Sequence, residues 1–147
     1  MTKLLFVCHG NICRSPMAQS VMAHLIQERG LTGFVVDSAA TSTEEIGNGV
    51  HPGTQRVLRA HGVPLIPHRA RRLTWQDGEE FDLLIGMDGA NLRNMARMVG
   101  DSDKIHSLLD WSPRPRDIAD PWYTGDFETT FSDVWEGCTT LLDALTQ

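Results

Sequence analysis

The residues Cys8-His9-Gly10-Asn11-Ile12-Cys13-Arg14-Ser15 set a thiol and a guanidinium around a short turn. When such a turn leads into a helix, its backbone N–H groups converge on a nest that binds anions. Gly10 and Asn11 are the residue types that tolerate left-handed backbone, which a tight cradle needs. Arg14 offers a planar fork of donors matched to two phosphate oxygens. The same positive field favours the thiolate form of cysteine. A Cys8 thiolate beneath a bound phosphate is placed to attack phosphorus. Cysteine and arginine at this spacing form a weak signal alone. A strand before them, a helix after them, the Gly-Asn turn and Ser15 together make it specific. The competing reading is an inert thiol at a strand end with Arg14 exposed.

Cleaving a phosphate ester also requires a proton for the leaving oxygen. Asp120-Pro121-Trp122-Tyr123 lies in a proline-rich stretch, where Pro121 stiffens the chain beside the carboxylate. Trp122 and Tyr123 are suited to line a flat slot for an aromatic leaving group. Alone, Asp-Pro reads as an ordinary surface turn.

Elements must bring these groups together. The apolar run 3–8 reads as a buried strand, and residues 15–29 carry helical periodicity between Pro16 and Gly30. Phe34-Val35-Val36 predicts a second strand, and 39–51 a loop rich in Ser, Thr and Gly. A helix is expected at 52–61, and Thr74 with Asp77 predicts a capped helical turn. Residues 82–87 form a third strand, after which Asp88 caps a helix facing inward through Leu92, Met95, Ala96 and Val99. A short strand at 104–109 and a long apolar-striped helix from Phe127 to Leu145 complete the pattern. The stretch 110–121, with Pro113, Pro115 and Pro121, is the irregular connection expected to carry function. This alternation predicts an α/β fold: three layers, a four-stranded parallel sheet with helices on both faces, doubly wound and Rossmann-like. Ligands in such folds bind beyond the carboxyl ends of the strands.

The chain has 147 residues, the size of one domain, so a single domain over 1–147 is expected. The net charge of −6 argues against nucleic acid as a partner. The apolar residues after Met1-Thr2-Lys3 are too few for a signal peptide or a membrane span. Three cysteines imply no complete disulfide framework, and a reducing cytoplasm is the simplest compartment. His24, His51, His61 and His106 show no metal-ligand spacing with the cysteines, so no metal is expected. Trp75, Trp111 and Trp135 read as packing residues and Cys138 as core. In the basic run His68-Arg69-Ala70-Arg71-Arg72 a solvated face is the simpler reading.

The sequence resembles the low-molecular-weight protein tyrosine phosphatase family. Residues 8–15 match its C-x-G-N-I-C-R-S loop. Asp37-Ser38-Ala39-Ala40-Thr41, Gly62-Val63-Pro64 leading to His68 and Ala70-Arg71, Met87-Asp88 with Asn91-Leu92, and Asp120-Pro121 follow in family order. The resemblance implies hydrolysis of phosphotyrosine in a protein or peptide, without metal or cofactor, through a phosphocysteine on Cys8. It implies that Arg14 and the loop of His9, Gly10, Asn11, Ile12 and Cys13 hold the phosphate oxygens. It makes Asp120 the acid and then the base, and Ser15 a donor to the Cys8 sulfur. Asn11, Ser38 and His68 fall at positions that brace the loop. Cys13 matches a second cysteine able to pair reversibly with Cys8 under oxidation. Inorganic phosphate is then product and inhibitor.

One position departs from the family pattern. Glu44, followed by Glu45, stands where an aromatic residue commonly walls the crevice. Carboxylates there are expected to repel a dianion or select basic flanking residues, unless they point into water. Four rival readings share parts of this pattern. An arsenate reductase needs further cysteines to pass a disulfide outward, and none lies between residues 14 and 137. An arginine phosphatase typically carries Thr at the place of Ile12. A non-catalytic phosphopeptide or anion sensor would keep Arg14 without needing Cys8, Ser15 and Asp120 together. A redox switch built on Cys8 and Cys13 would leave Asp120 unexplained.

Overall fold

The apolar run at the amino end forms strand β1 (Thr2–Cys8), whose residues Leu4 to Val7 are wholly buried. A strand buried on both faces needs no alternation of polar residues. Side chains still alternate between the two faces. Leu4, Phe6 and Cys8 join one core cluster, and Leu5 and Val7 join the other. This computed structural model describes residues 1–147.

Helix α1 (Arg14–Glu28) returns the chain to β2 (Phe34–Ala40), which pairs in parallel with β1. Helices α2 (Pro52–Ala60) and α3 (Trp75–Glu80) precede β3 (Leu83–Gly86) on the other side of β1. Helix α4 (Gly89–Val99) leads to β4 (Ile105–Ser107) and a 3₁₀ turn, Leu108–Trp111. After an irregular segment come α5 (Pro121–Thr124) and α6 (Phe127–Leu145). The strand order is β2-β1-β3-β4, all parallel. This is the expected four-stranded doubly wound sheet. From β1 the chain steps one way to β2, and from β3 it steps the other way to β4. Right-handed crossovers in opposite directions put α1 and α4 on opposite faces. The cluster on one face joins α1, α2 and α6, and the cluster on the other joins the end of α3 to α4. The step reverses between β1 and β3, which opens a crevice at their carboxyl ends.

Local expectations hold with small shifts. Thr74 and Asp77 form a capping box on α3, and Asp88 and Asn91 form another on α4. Strand β2 runs on through Ala40, into the segment expected to be loop. Backbone pairing to the full length of β1 overrides the weak strand preference of Asp and Ala. Trp75 is exposed rather than packed, because α3 has only two turns and buries Asp77 instead. Gly137 lets α6 approach the 3₁₀ turn, since a Cβ there would lie 2.5 Å from Leu108. That contact seats α6 beneath the segment carrying Asp120.

Candidate active site

The turn after β1 is held from outside by its carbonyl groups. Cys8 and His9 carbonyls accept from the N–H groups of Thr41 and Ser42, just past β2. The Ile12 carbonyl accepts from His51 N–H, and the Cys13 carbonyl from Met17 N–H and the Thr54 hydroxyl. With the carbonyls drawn outward, the N–H groups from His9 to Arg14 take no protein acceptor. They form an N–H cradle of the kind that binds anions. Asn11 stands at φ 59°, the one non-glycine residue with positive φ. An asparagine supports that backbone best when its side chain bonds locally.

Asn11 does this and more. Its Oδ1 accepts from Arg71 N–H at 3.1 Å and from His68 Nε2 at 2.8 Å. The main-chain N–H can only donate, so it decides which way the amide faces. The Asn11 Nδ2 then donates to Ser15 Oγ at 2.7 Å. Ser15 Oγ lies 3.0 Å from Cys8 Sγ, and Ser15 N–H donates to the same sulfur at 3.4 Å. Once Cys8 is a thiolate, the Ser15 hydroxyl proton can only point to sulfur. Burial pushes the Cys13 thiol up to about 12, with Cys8 and Asp120 adding to the effect, so Cys13 stays a thiol. Burial lowers the His68 imidazole below its ordinary value; Asp37 opposes this and Arg71 reinforces it. A neutral His68 donating through Nε2 fits its bond to Asn11.

Arg14 is only 1% exposed. Its Nη1 donates to Asp88 Oδ2 at 2.7 Å and to the Ile118 carbonyl at 2.8 Å, and its Nη2 to Asp120 Oδ2 at 3.4 Å. Its buried Nε has no protein partner and remains for an anion oxygen. Asp120 caps α5, accepting Trp122 N–H at 3.0 Å through its other oxygen. The cleft is lined by Cys8, His9, Gly10, Ile12, Cys13 and Asp120 below, and by Glu44, Glu45, Trp122 and Tyr123 at the mouth. Trp122 is 57% and Tyr123 82% exposed, so both present faces to an incoming group.

Three readings are refined by the contacts. Glu44 does not simply point into water: its Oε2 lies 3.0 Å from His9 Nε2, which makes a polar wall where an aromatic was expected. Ser38 does not touch the loop through its hydroxyl, which donates to Gln19 Oε1 at 2.6 Å. Ser38 pairs with Phe6, and that register turns it to the α1 face of the sheet. The basic run 68–72 is not a uniform solvated face either. Arg71 bonds Asp37 and Asp77, and its N–H orients Asn11. Asp88, Gln19 and Arg71 were not singled out as site residues. The sequence marks Asp88 as a helix cap and as part of a family-like segment, but not as the partner of Arg14, which lies on another strand's connection.

The chain belongs to the low molecular weight phosphotyrosine protein phosphatase family, whose model matches residues 3–147. It is 39% identical to the low molecular weight protein-tyrosine-phosphatase YfkJ of Bacillus subtilis, over 99% of this chain and 96% of that protein. The crystal structure of YfkJ superposes with a TM-score of 0.94, covering 99% of this chain and 94% of that one. A low molecular weight protein tyrosine phosphatase from Streptococcus pyogenes is 37% identical, with a TM-score of 0.89 over 100% and 95% of the two chains. A Drosophila arginine phosphatase is 30% identical, with a TM-score of 0.92 over 99% of both chains. No helix is long and apolar enough to cross a membrane.

Proposed function

We propose that this chain, acting as one catalytic domain, hydrolyses phosphotyrosine monoesters of proteins or peptides through a phosphocysteine on Cys8. The observation that carries the reading is the Cys8 sulfur, bonded by Ser15, among unpaired N–H groups with Arg14 beside them and Asp120 above. The Cys8 thiolate attacks phosphorus as the P–O bond to the phenol breaks. Asp120, as the general acid, gives a proton to the departing oxygen. Arg14 Nε and the loop N–H groups meet the charge on the equatorial oxygens, which suits a loose phosphoryl-transfer transition state. Water then attacks the phosphocysteine, and the Asp120 carboxylate takes its proton. Sulfur leaves as thiolate, accepting from Ser15. Inorganic phosphate is released and competes with substrate. A reducing cytoplasm suits a mechanism that needs a free Cys8 thiolate.

Arginine phosphate is the second reading, favoured by the likeness to the Drosophila enzyme. Ile12 lines the cleft as an aliphatic side chain and offers no hydroxyl to a guanidinium. Arsenate reduction is disfavoured because Cys138 is 0% exposed, with its sulfur on the Ala18 carbonyl and no route outward.

The test is hydrolysis of p-nitrophenyl phosphate at mildly acidic pH with excess EDTA, beside Cys8→Ser, with phosphotyrosine peptide, phosphoarginine and arsenate compared. Turnover that survives EDTA, disappears in Cys8→Ser and favours phosphotyrosine is expected. Asp120→Asn is expected to lower the rate by about 10²–10⁴, less for good leaving groups. Phosphate or vanadate binding without turnover would leave an anion sensor instead.

A further inference from the structure

The acid Asp120 ends a segment, 112–120, that has no regular structure of its own. A carboxyl that must meet a leaving oxygen needs a defined reach. Near Asp120 the segment is held at Ile118, whose N–H donates to the Met87 carbonyl at 2.8 Å and whose carbonyl takes Arg14. The Thr130 hydroxyl of α6 donates to the Ala119 carbonyl at 3.3 Å. Upstream, a single side chain gathers the rest. Arg116 Nη2 donates to Asp133 Oδ1 at 2.7 Å and to Glu136 Oε1 at 3.2 Å. Its Nη1 donates to Glu136 Oε2 at 3.0 Å and to the Arg114 carbonyl at 2.9 Å. Ser112 also donates to Glu136, at 2.5 Å, and accepts Arg114 N–H at 3.0 Å.

Asp133 and Glu136 are three residues apart, so they share one face of α6. A planar guanidinium bridging both fixes direction as well as distance. The hydrogen bond from Arg116, followed by that from Ser112, holds the Glu136 carboxyl down to about 2, so this clamp persists through the acidic range of the assay. Helix α6 packs in the same core cluster as α1, at whose start Arg14 and Ser15 stand. The clamp therefore ties the acid segment to the frame that carries the phosphate cradle. Pro113 and Pro115 restrict the chain between its anchors.

We propose that Arg116 is a positioning residue: its fork onto Asp133 and Glu136 sets the reach of Asp120 to the leaving oxygen. This rests on the reading of Asp120 as the acid. Arg116 does not line the cleft and bonds only Arg114, Asp133 and Glu136, so its effect must pass through Asp120 and spare phosphate binding.

The experiment compares Arg116→Ala, Arg116→Lys and Glu136→Gln, alone and with Asp120→Asn, on phosphotyrosine and on p-nitrophenyl phosphate. Arg116→Ala is expected to lower kcat about tenfold on phosphotyrosine and under about threefold on p-nitrophenyl phosphate. Inhibition by inorganic phosphate is expected to stay within about twofold, and Arg116→Lys to restore only part of the rate. In the Asp120→Asn background the Arg116 change is expected to add nothing. Equal loss on both substrates, additive loss with Asp120→Asn, or weakened phosphate binding would overturn the proposal and leave Arg116 a fold support. Glu136→Gln, which takes one carboxylate charge and one acceptor from the clamp at nearly constant side-chain size, decides the matter by the same comparison if Arg116→Ala does not fold. If Asp120→Asn itself loses rate equally on both substrates, the acid assignment fails and the clamp with it. If Asp120→Asn discriminates between the substrates and the Arg116 variants do not, only the clamp fails.

Discussion

Arg14 and Asp88 meet at 2.7 Å, joining the residues that follow two adjacent strands, β1 and β3. Burial opposes the charge on Arg14, but Cys8, the Asp88 hydrogen bond and Asp120 together hold it above its ordinary value. Burial likewise opposes the Asp88 carboxylate, and Arg14 with the α4 N–H groups keeps it below its ordinary range. A guanidinium buried this deeply is tolerable only with such a partner. The pair also directs Nη1 away from the cradle and leaves Nε for phosphate.

Asp88→Asn isolates that charge. Asparagine caps a helix about as well as aspartate, so α4 is retained. Losing the carboxylate is expected to reduce stability by roughly 1–3 kcal/mol and phosphate affinity by about tenfold. Urea unfolding and phosphate inhibition measure the two effects. Unchanged inhibition would show that the Ile118 carbonyl and Asp120 suffice to aim Arg14. Because the folded-state Asp88 value is lowered from 3.8, its contribution is complete above 3.8 and drains away as pH falls through the lower folded value. The acid limb of the stability profile is therefore expected to be shallower in Asp88→Asn.

His68 predicts a second pH dependence. Burial, reinforced by Arg71 against the pull of Asp37, lowers it from 6.5 in the folded chain. Between those values the unfolded chain binds the extra proton. Stability from this group is thus whole above 6.5 and declines as pH falls toward the folded value. Denaturation of His68→Asn across this range is expected to show a flatter profile. An imidazole that titrates at its ordinary value by NMR would contradict the account.

Ser15→Ala removes the hydroxyl that lies 3.0 Å from the Cys8 sulfur and can donate to its thiolate. A hydrogen bond to a charged group contributes about 1.5–3 kcal/mol, so sulfur departure is expected to slow by about ten- to a hundredfold. Stopped-flow assays are expected to show a burst of phenol followed by slow turnover. A single slow phase with no burst would place the serine's effect on the first step.

Glu44→Trp replaces the His9–Glu44 wall with an aromatic face beside Trp122 and Tyr123. The KM for simple aryl phosphates is expected to fall, because stacking area is gained and a carboxylate leaves the mouth. Peptides with basic residues beside the phosphotyrosine are expected to lose any advantage they hold. An unchanged KM for both kinds of substrate would show that Glu44 does not face the bound substrate.

Much of this design is local. The periodicity of 3–8 and 15–29, the capping pairs at Thr74 and Asp88, and the Gly-Asn turn at residues 10–11 all act within a few residues. They were readable because strand alternation, helix stripes and caps are set by neighbours in the chain. The strand expected at 34–36 extends to Ala40 because its remaining length depends on pairing with β1, not on its own residues.

Short-range preferences set the succession of most strands and helices along the chain, the Gly-Asn turn between Cys8 and Ser15, and the Asp120-Pro121 pair. These depend on backbone preferences that each short segment carries with it. The partners come from the fold: Asp88 for Arg14, Gln19 for Ser38, His9 for Glu44, and the α6 carboxylates for Arg116. Those pairs join distant parts of the chain, and strand order and helix packing bring them into contact. Hydrogen bonds form wherever a buried donor must find an acceptor, and no local pattern records which distant residue will supply it.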